Sequence, residues 1–130
     1  MPSVLPCLRQ AALNDTILVV AMIESPEAVR NANAIAAVEG IDALLIGTSD
    51  LTAELGISGQ IGHAKVTEAY ETVAKACRAH GKALGMGGVY DKENASRYIK
   101  LGARFILSGS DHNYLLAGAR ARSELLRQVL

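Results

Sequence analysis

The sequence contains no tryptophan, one phenylalanine and four tyrosines, so aromatic residues fill only 4% of its 130 positions. Little material is left for stacking on exposed bases or for a large protein-binding hot spot. A surplus of charge is also missing, because thirteen Lys and Arg residues balance thirteen Asp and Glu residues. No broad field exists to draw nucleic acid or anionic lipid, so neither is expected as a partner. Cysteine is scarce: Cys7 and Cys77 stand far apart, in no C-x-x-C or zinc-like spacing. A disulfide framework has no support, and the two thiols read as reduced and cytoplasmic. The longest unbroken apolar run, Ile17 to Ile23, has seven residues, against the roughly 20 that a membrane span needs. The N-terminus lacks a basic stretch followed by an apolar one, so no signal peptide and no membrane association are expected.

What is present is apolar material, 50% of the residues, enough for one ordinary domain with a sizeable core. Its order along the chain is regular. Residues 1–16 place Val4, Leu5, Leu8, Ala12 and Leu13 near helical spacing, with Pro6 confined to the first turn. This segment looks like the end of a preceding helix. Ile17 to Ile23 is apolar on both alternating faces and rich in β-branched residues, the pattern of a strand buried on both sides in a parallel sheet. Ser25-Pro26-Glu27 then starts a helix with a cap, a proline where no N–H is needed and an acid near the positive dipole end. That helix is expected to run to about Val38, closed by Gly40.

Ile41 to Ile46 is a second strand, Gly47 to Asp50 the loop beyond it, and a short helical turn follows through Leu55. A long amphipathic helix carries Val66, Ala69, Tyr70, Val73, Ala76 and Cys77 on one stripe, with Lys65, Glu68, Glu71, Lys75 and Arg78 mostly opposite; His80-Gly81 ends it. Lys82 to Met86 is a third strand leading into Gly87-Gly88. Asp91 caps a helix to Leu101, Gly102 ends that, and Arg104 to Leu107 is a fourth strand. A last helix spans about Asn113 to Gln128, and its Leu115, Leu116, Ala119 and Leu126 stripe is read as core.

Four strand–helix units in succession mean an α/β fold with parallel strands and crossover helices. Ligand sites in such folds lie beyond the carboxyl ends of the strands, where this chain puts Glu24, Gly47 to Asp50, Gly87-Gly88 and Ser108 to Asp111. Two strand ends tipped by acids, Glu24 and Asp50, suggest a divalent-metal site. Each also has a plain structural account, Glu24 as an acid at a helix N-terminus and Asp50 as the N-cap of the helix at Leu51. Asp111 is read as a cap of the last helix rather than a substrate contact. Among the histidines, His63 falls in a polar loop and His80 at a helix C-terminus, and His112 alone lies on the expected active face. Periodicity does not decide between a small open sheet and half of an eight-stranded barrel, which typically needs about 250 residues. A flavodoxin-like domain lacks support because no suitable glycine-rich first loop is present.

The segments Met22 to Val29, Gly40-Ile41-Asp42 and Ile46-Gly47-Thr48-Ser49-Asp50-Leu51-Thr52 resemble the HpcH/HpaI aldolase and citrate lyase family in order and spacing. Gly56 to Gln60, Gly81 to Gly85 and Leu107 to Asp111 continue the likeness over nearly the whole chain. The resemblance implies a (β/α)8 TIM barrel of the phosphoenolpyruvate/pyruvate type, with residues 1–130 as a single partial domain: residues 1–16 close a preceding helix and 17–130 form the second four βα units. It implies a class II, metal-dependent aldolase that cleaves 4-hydroxy-2-oxo acids to pyruvate and an aldehyde through a metal-stabilised pyruvate enolate. The cofactor would be Mg2+, Mn2+ or Co2+, held by Glu24 and Asp50. Gly47, Thr48, Ser49, Asp50 and Met22 would bind the 2-oxo acid, with the backbone around Ser49-Asp50 receiving its carboxylate. No lysine Schiff base is required in this class. A homo-oligomer is implied, the last helix packing across a subunit boundary.

The family's catalytic histidine and substrate-binding arginine come from the first half of the barrel, and no motif here matches either. Met22 stands where glutamine is frequent, and Thr48 where proline is common. The rival expectation is a non-catalytic half barrel that self-associates or pairs with another chain and at most binds metal and keto acid.

Overall fold

In the computed structural model, residues 13–130 are described. The helix expected over 1–16, with Pro6 and Cys7, lies outside the described residues except for its last turn, where Thr16 donates its N–H to Leu13. Four parallel strands follow in sequence order, β1 (Val20–Ile23), β2 (Ala43–Gly47), β3 (Ala83–Gly87) and β4 (Ala103–Ile106). The helices between and after them are α1 (Pro26–Arg30), α2 (Ala32–Ala36), α3 (Thr48–Glu54), α4 (Ala64–His80), α5 (Lys92–Leu101) and α6 (Asp111–Val129). The fold is α/β, four βα units in one parallel sheet, as the alternation of elements demands.

The alternation of side chains along β2 and β3 places the core. Leu44, Ile46, Leu84 and Met86 belong to one buried cluster with Val66, Ala69, Tyr70, Val73 and Cys77 of α4. The stripe expected on that helix is therefore its buried face, and Lys65, Glu68, Glu71, Lys75 and Arg78 are all exposed. Fully burying one such side chain stabilises by about 1.5–3 kcal/mol, so this face alone anchors the helix. Its ends are chemically defined. His63 is the N-cap, its Nδ1 accepting from the Lys65 N–H at 3.1 Å, and Gly81 closes the helix at φ +65°.

Several expectations are corrected. β1 begins at Val20 rather than Ile17, and Ile17, Leu18, Val19 and Met22 are exposed. Ile23 is buried while Met22 on the opposite face is exposed, so β1 is covered on one face only among the described residues. The helix expected from Pro26 to Val38 is two short ones: Asn31 closes α1 by donating to Glu27, and its ψ of 2° breaks the helical path. Asn competes well for such turns. The loop expected over Gly47 to Asp50 is instead the start of α3, with Gly47 at the N-cap and Asp50 in the first turn, so Asp50 is not the cap. Ser110, not Asp111, is the N-cap of α6. The stripe Leu115, Leu116, Ala119 and Leu126 is exposed rather than core, because α6 leaves the end of β4 without packing a buried face on any described element.

Candidate active site

The parallel register of β1 and β2 sets the site. Ile23 pairs with Ile46, so the next residues, Glu24 and Gly47, emerge side by side at the carboxyl edge of the sheet. Ser25 caps α1 by accepting from the Ala28 N–H at 3.1 Å, which turns the chain away directly after Glu24. The Glu24 side chain then lies across Gly47. A Cβ added there would come within 2.6 Å of Glu24 Oε1 and 2.7 Å of its Cγ. Glycine is needed at that position because the carboxylate occupies the space a side chain would take.

Gly47 leads straight into α3, whose phase sorts its first residues. Thr48 and Thr52 are fully buried, while Ser49 and Asp50 are exposed, as the i, i+4 spacing of a helical face requires. The Thr48 hydroxyl shares a 2.8 Å hydrogen bond with the Tyr70 hydroxyl, and Thr52 Oγ1 donates to the Ser49 carbonyl at 2.8 Å. On the opposite side the end of β3 presses close: a Cβ on Gly88, at φ +77°, would meet Ser49 Oγ at 2.7 Å.

These strand ends enclose a cleft of about 210 Å3. Its polar side is Glu24, Ser49 and Asp50 with the backbone at Gly47 and Thr48; its apolar side is Met22, Leu45, Leu107 and Tyr90, and Gly87 and Gly88 form the floor between. All of the residues expected at the site, Met22, Glu24, Gly47, Thr48, Ser49 and Asp50, are brought together here. Leu45, Leu107 and Tyr90 were not anticipated. The Gly87-Gly88 pair was visible as a strand-end glycine signal but reads equally well as a simple turn. None of the three histidines lines the cleft: His63 caps α4, His80 Nε2 contacts Asn33 Oδ1 at 3.0 Å, and His112 is exposed beside Ser110. Asp111 is exposed and accepts from the His112 N–H. Larger hollows, of about 280, 350 and 490 Å3, lie between helices away from the strand ends.

The donor set constrains what the cleft can hold. Among the described residues, no group of three or more His, Cys, Asp or Glu gathers at one point, so a closed, all-protein cage such as structural zinc uses is excluded there. Two carboxylates in an open cleft, neither in an ion pair among the described residues, suit a hard cation that keeps several positions for water and substrate oxygens. The close fit of the Glu24 side chain over Gly47 limits where its carboxylate can lie. No helix among the described residues is long and apolar enough to cross a membrane.

Comparison with known proteins bears on the fold and the family. The family model for HpcH/HpaI aldolase/citrate lyase matches residues 7–117. The 4-hydroxy-4-methyl-2-oxoglutarate aldolase of Hapsidospora irregularis is 43% identical over 78% of this chain and 38% of its own length. The 4-hydroxy-2-oxo-heptane-1,7-dioate aldolase of Salmonella paratyphi B is 40% identical over 88% of this chain and 42% of its own. Among solved structures, an HpcH/HpaI aldolase from Desulfitobacterium hafniense superposes with a TM-score of 0.78 at 32% identity, over 95% of this chain and 48% of that one. The chain thus spans about two-fifths of the length of these curated relatives and about half of that barrel-type structure, the four βα units corresponding to part of a TIM-barrel fold. The chain therefore belongs to the HpcH/HpaI aldolase/citrate lyase family.

Proposed function

We propose that this chain supplies the metal- and keto-acid-binding part of an aldolase that cleaves a 4-hydroxy-2-oxo acid to pyruvate and an aldehyde. The observation that carries the reading is the Glu24 carboxylate seated across Gly47, in the same cleft as Asp50. Glu24 and Asp50 would hold Mg2+, Mn2+ or Co2+. When bound, such a cation polarises a keto oxygen and offsets the negative charge that develops on it as the carbon–carbon bond breaks.

The chain's own groups do the rest of the binding. Backbone N–H groups in the first turn of α3 have no partner within the helix, and those of Ser49 and Asp50, residues that line the cleft, would be available to the 2-oxo acid carboxylate. The Ser49 hydroxyl adds a donor there. Met22, Leu45 and Leu107 supply an apolar side to the cleft. Proton transfer would come from a group outside the lining, which contains no histidine, lysine or arginine.

That last feature favours a second reading, a module that binds cation and 2-oxo acid without turnover. The two separate in one experiment on an aldolase containing this chain. Pyruvate release from a 4-hydroxy-2-oxo acid, coupled to lactate dehydrogenase, should stop with EDTA, return with Mn2+ and be abolished by Asp50→Ala. Unchanged turnover in Asp50→Ala would sink the metal-ligand role given to Asp50; pyruvate and Mn2+ binding with no turnover in any form would sink the aldolase assignment and establish the module.

A further inference from the structure

Apart from the tyrosines Tyr70 and Tyr98 and the Cys77 thiol, two polar side chains are fully buried among the described residues, Thr48 and Thr52. They flank Ser49 and Asp50 in sequence and point the opposite way, into the core. A buried hydroxyl left without a partner costs about 1–3 kcal/mol, so where these two find partners says what the turn is tied to. Thr52 is satisfied locally, donating to the Ser49 carbonyl at 2.8 Å and accepting from the Gly59 N–H at 3.2 Å. Thr48 is satisfied across the fold, by the Tyr70 hydroxyl at 2.8 Å.

Tyr70 is itself immobilised. Its ring is fully buried on α4 and stacks on Tyr98 of α5, with centroids 3.7 Å apart and planes 6° from parallel. Tyr98 in turn donates its hydroxyl to the Ile61 carbonyl, just before α4 begins. Two helices and the segment before α4 are thereby connected to the first residue of α3. Asp50 lies two residues further on, within the same helical turn.

We infer that Tyr70 is a positioning residue: through Thr48 it fixes the first turn of α3, and so the direction in which Asp50 and the Ser49 backbone present themselves to a cation and a 2-oxo acid. It touches neither ligand. The inference rests on the proposed cation site at Glu24 and Asp50. A side chain that orients a ligand indirectly shows itself in affinity, whereas one that merely fills the core shows itself in stability alone.

The test uses Mn2+ alone as the probe, its free concentration read from the six-line electron paramagnetic resonance signal on titration with the 130-residue chain. Tyr70→Phe keeps the stacked ring and removes only the hydroxyl. It should weaken Mn2+ binding by about tenfold, at the low end of what loss of an outer-shell partner costs. Thr48→Val should weaken it equally, Thr48→Ser should bind as the parent does, and the Tyr70→Phe, Thr48→Val pair should be no worse than either alone, since both delete one bond. Val73→Ala, one turn along α4 in the same core, should lower the melting temperature and leave the Mn2+ affinity within twofold.

Parent-like affinity in Tyr70→Phe overturns the inference while leaving the cation site standing, and so does an equal loss in Val73→Ala, which makes the effect one of stability. If the parent chain binds no Mn2+, or Glu24→Gln binds it unchanged, the cation site falls and the inference with it. Should Tyr70→Phe fail to fold, the contrast between Thr48→Val and Thr48→Ser decides on the same criterion.

Discussion

Gly47 is the residue at which sequence, packing and chemistry meet most tightly. Its lack of a side chain gives the Glu24 carboxylate its place, since an added Cβ would fall 2.6 Å from Oε1 and 2.7 Å from Cγ. Contacts that short cannot be relieved by moving the carboxylate end alone, because the Cγ must move as well. Gly47→Ala should therefore displace the whole Glu24 side chain and weaken Mn2+ binding by about tenfold or more, with an overpacking cost of about 1–3 kcal/mol in denaturant melts. Unchanged Mn2+ affinity in a folded Gly47→Ala variant would contradict the role given to Glu24. Glu24 and Asp50 themselves were legible in the sequence because an acid following an apolar run at a strand exit is a local pattern. The inward turn of the Thr48 hydroxyl was not. It depends on α3 starting at Thr48 rather than after Asp50, a matter of helical phase that reading Gly47 to Asp50 as a loop conceals.

Among the elements, α5 shows how far local chemistry reaches. Asp91 was identifiable as its cap from the sequence, and in the structure it accepts from the Asn94 N–H at 2.9 Å and from the Asn94 side-chain amide at 3.0 and 3.1 Å. The Asn94 backbone bond first, and its side-chain bonds second, hold the Asp91 carboxyl below its ordinary pKa. A depressed carboxylate contributes stability that is present above the unfolded value of about 3.9 and is lost as pH falls through the lower folded value. Asp91→Ala should accordingly melt at a lower temperature than the parent at pH 7. The gap should narrow once the pH drops below the folded-state value, whereas Asp91→Asn, which caps without a charge, should show little of that pH dependence. A gap of equal size at pH 7 and pH 2 would contradict it. Caps and terminating glycines such as Ser25, Asp91 and Gly81 are readable because each acts within a few residues. The break at Asn31 and the exposure of α6 are not, since the first turns on one residue's choice between two adequate conformations. The second depends on what lies opposite an apolar stripe, which periodicity cannot reveal.

At the scale of the whole molecule, the chain carries more apolar surface than its described fold covers. Ile17, Leu18, Val19 and Met22 near β1, Ile106 and Leu107 at β4, and the α6 leucines are all exposed, and among the described residues the two outer strands pair on one side only. A composition of 50% hydrophobic residues says that a core of some size is intended but not where its other wall stands. That is why four strand–helix units could be counted from the sequence while their closure needed the family likeness. What the chain does bury centres on α4, and there three acidic groups are held neutral. Burial raises Tyr70, Tyr98 and Cys77 above their ordinary values. For each, the folded state keeps its proton where the unfolded chain would lose it. Their contribution is complete below the unfolded values, about 8.5 for the thiol and about 10 for the phenols, and is lost as pH rises beyond them toward the raised folded values. The contribution of these three groups should therefore be constant up to about pH 8 and then fall, a group such as Tyr70 accounting for as much as roughly 1.4 kcal/mol per pH unit above its unfolded value. Urea midpoints measured at pH 8 and at pH 11 should show the drop, and Tyr70→Phe, with no phenol to ionise, should show a shallower one. Equal slopes in the two proteins would mean that Tyr70 is not what limits the fold in alkali, and would place the sensitivity in Cys77 and Tyr98 instead.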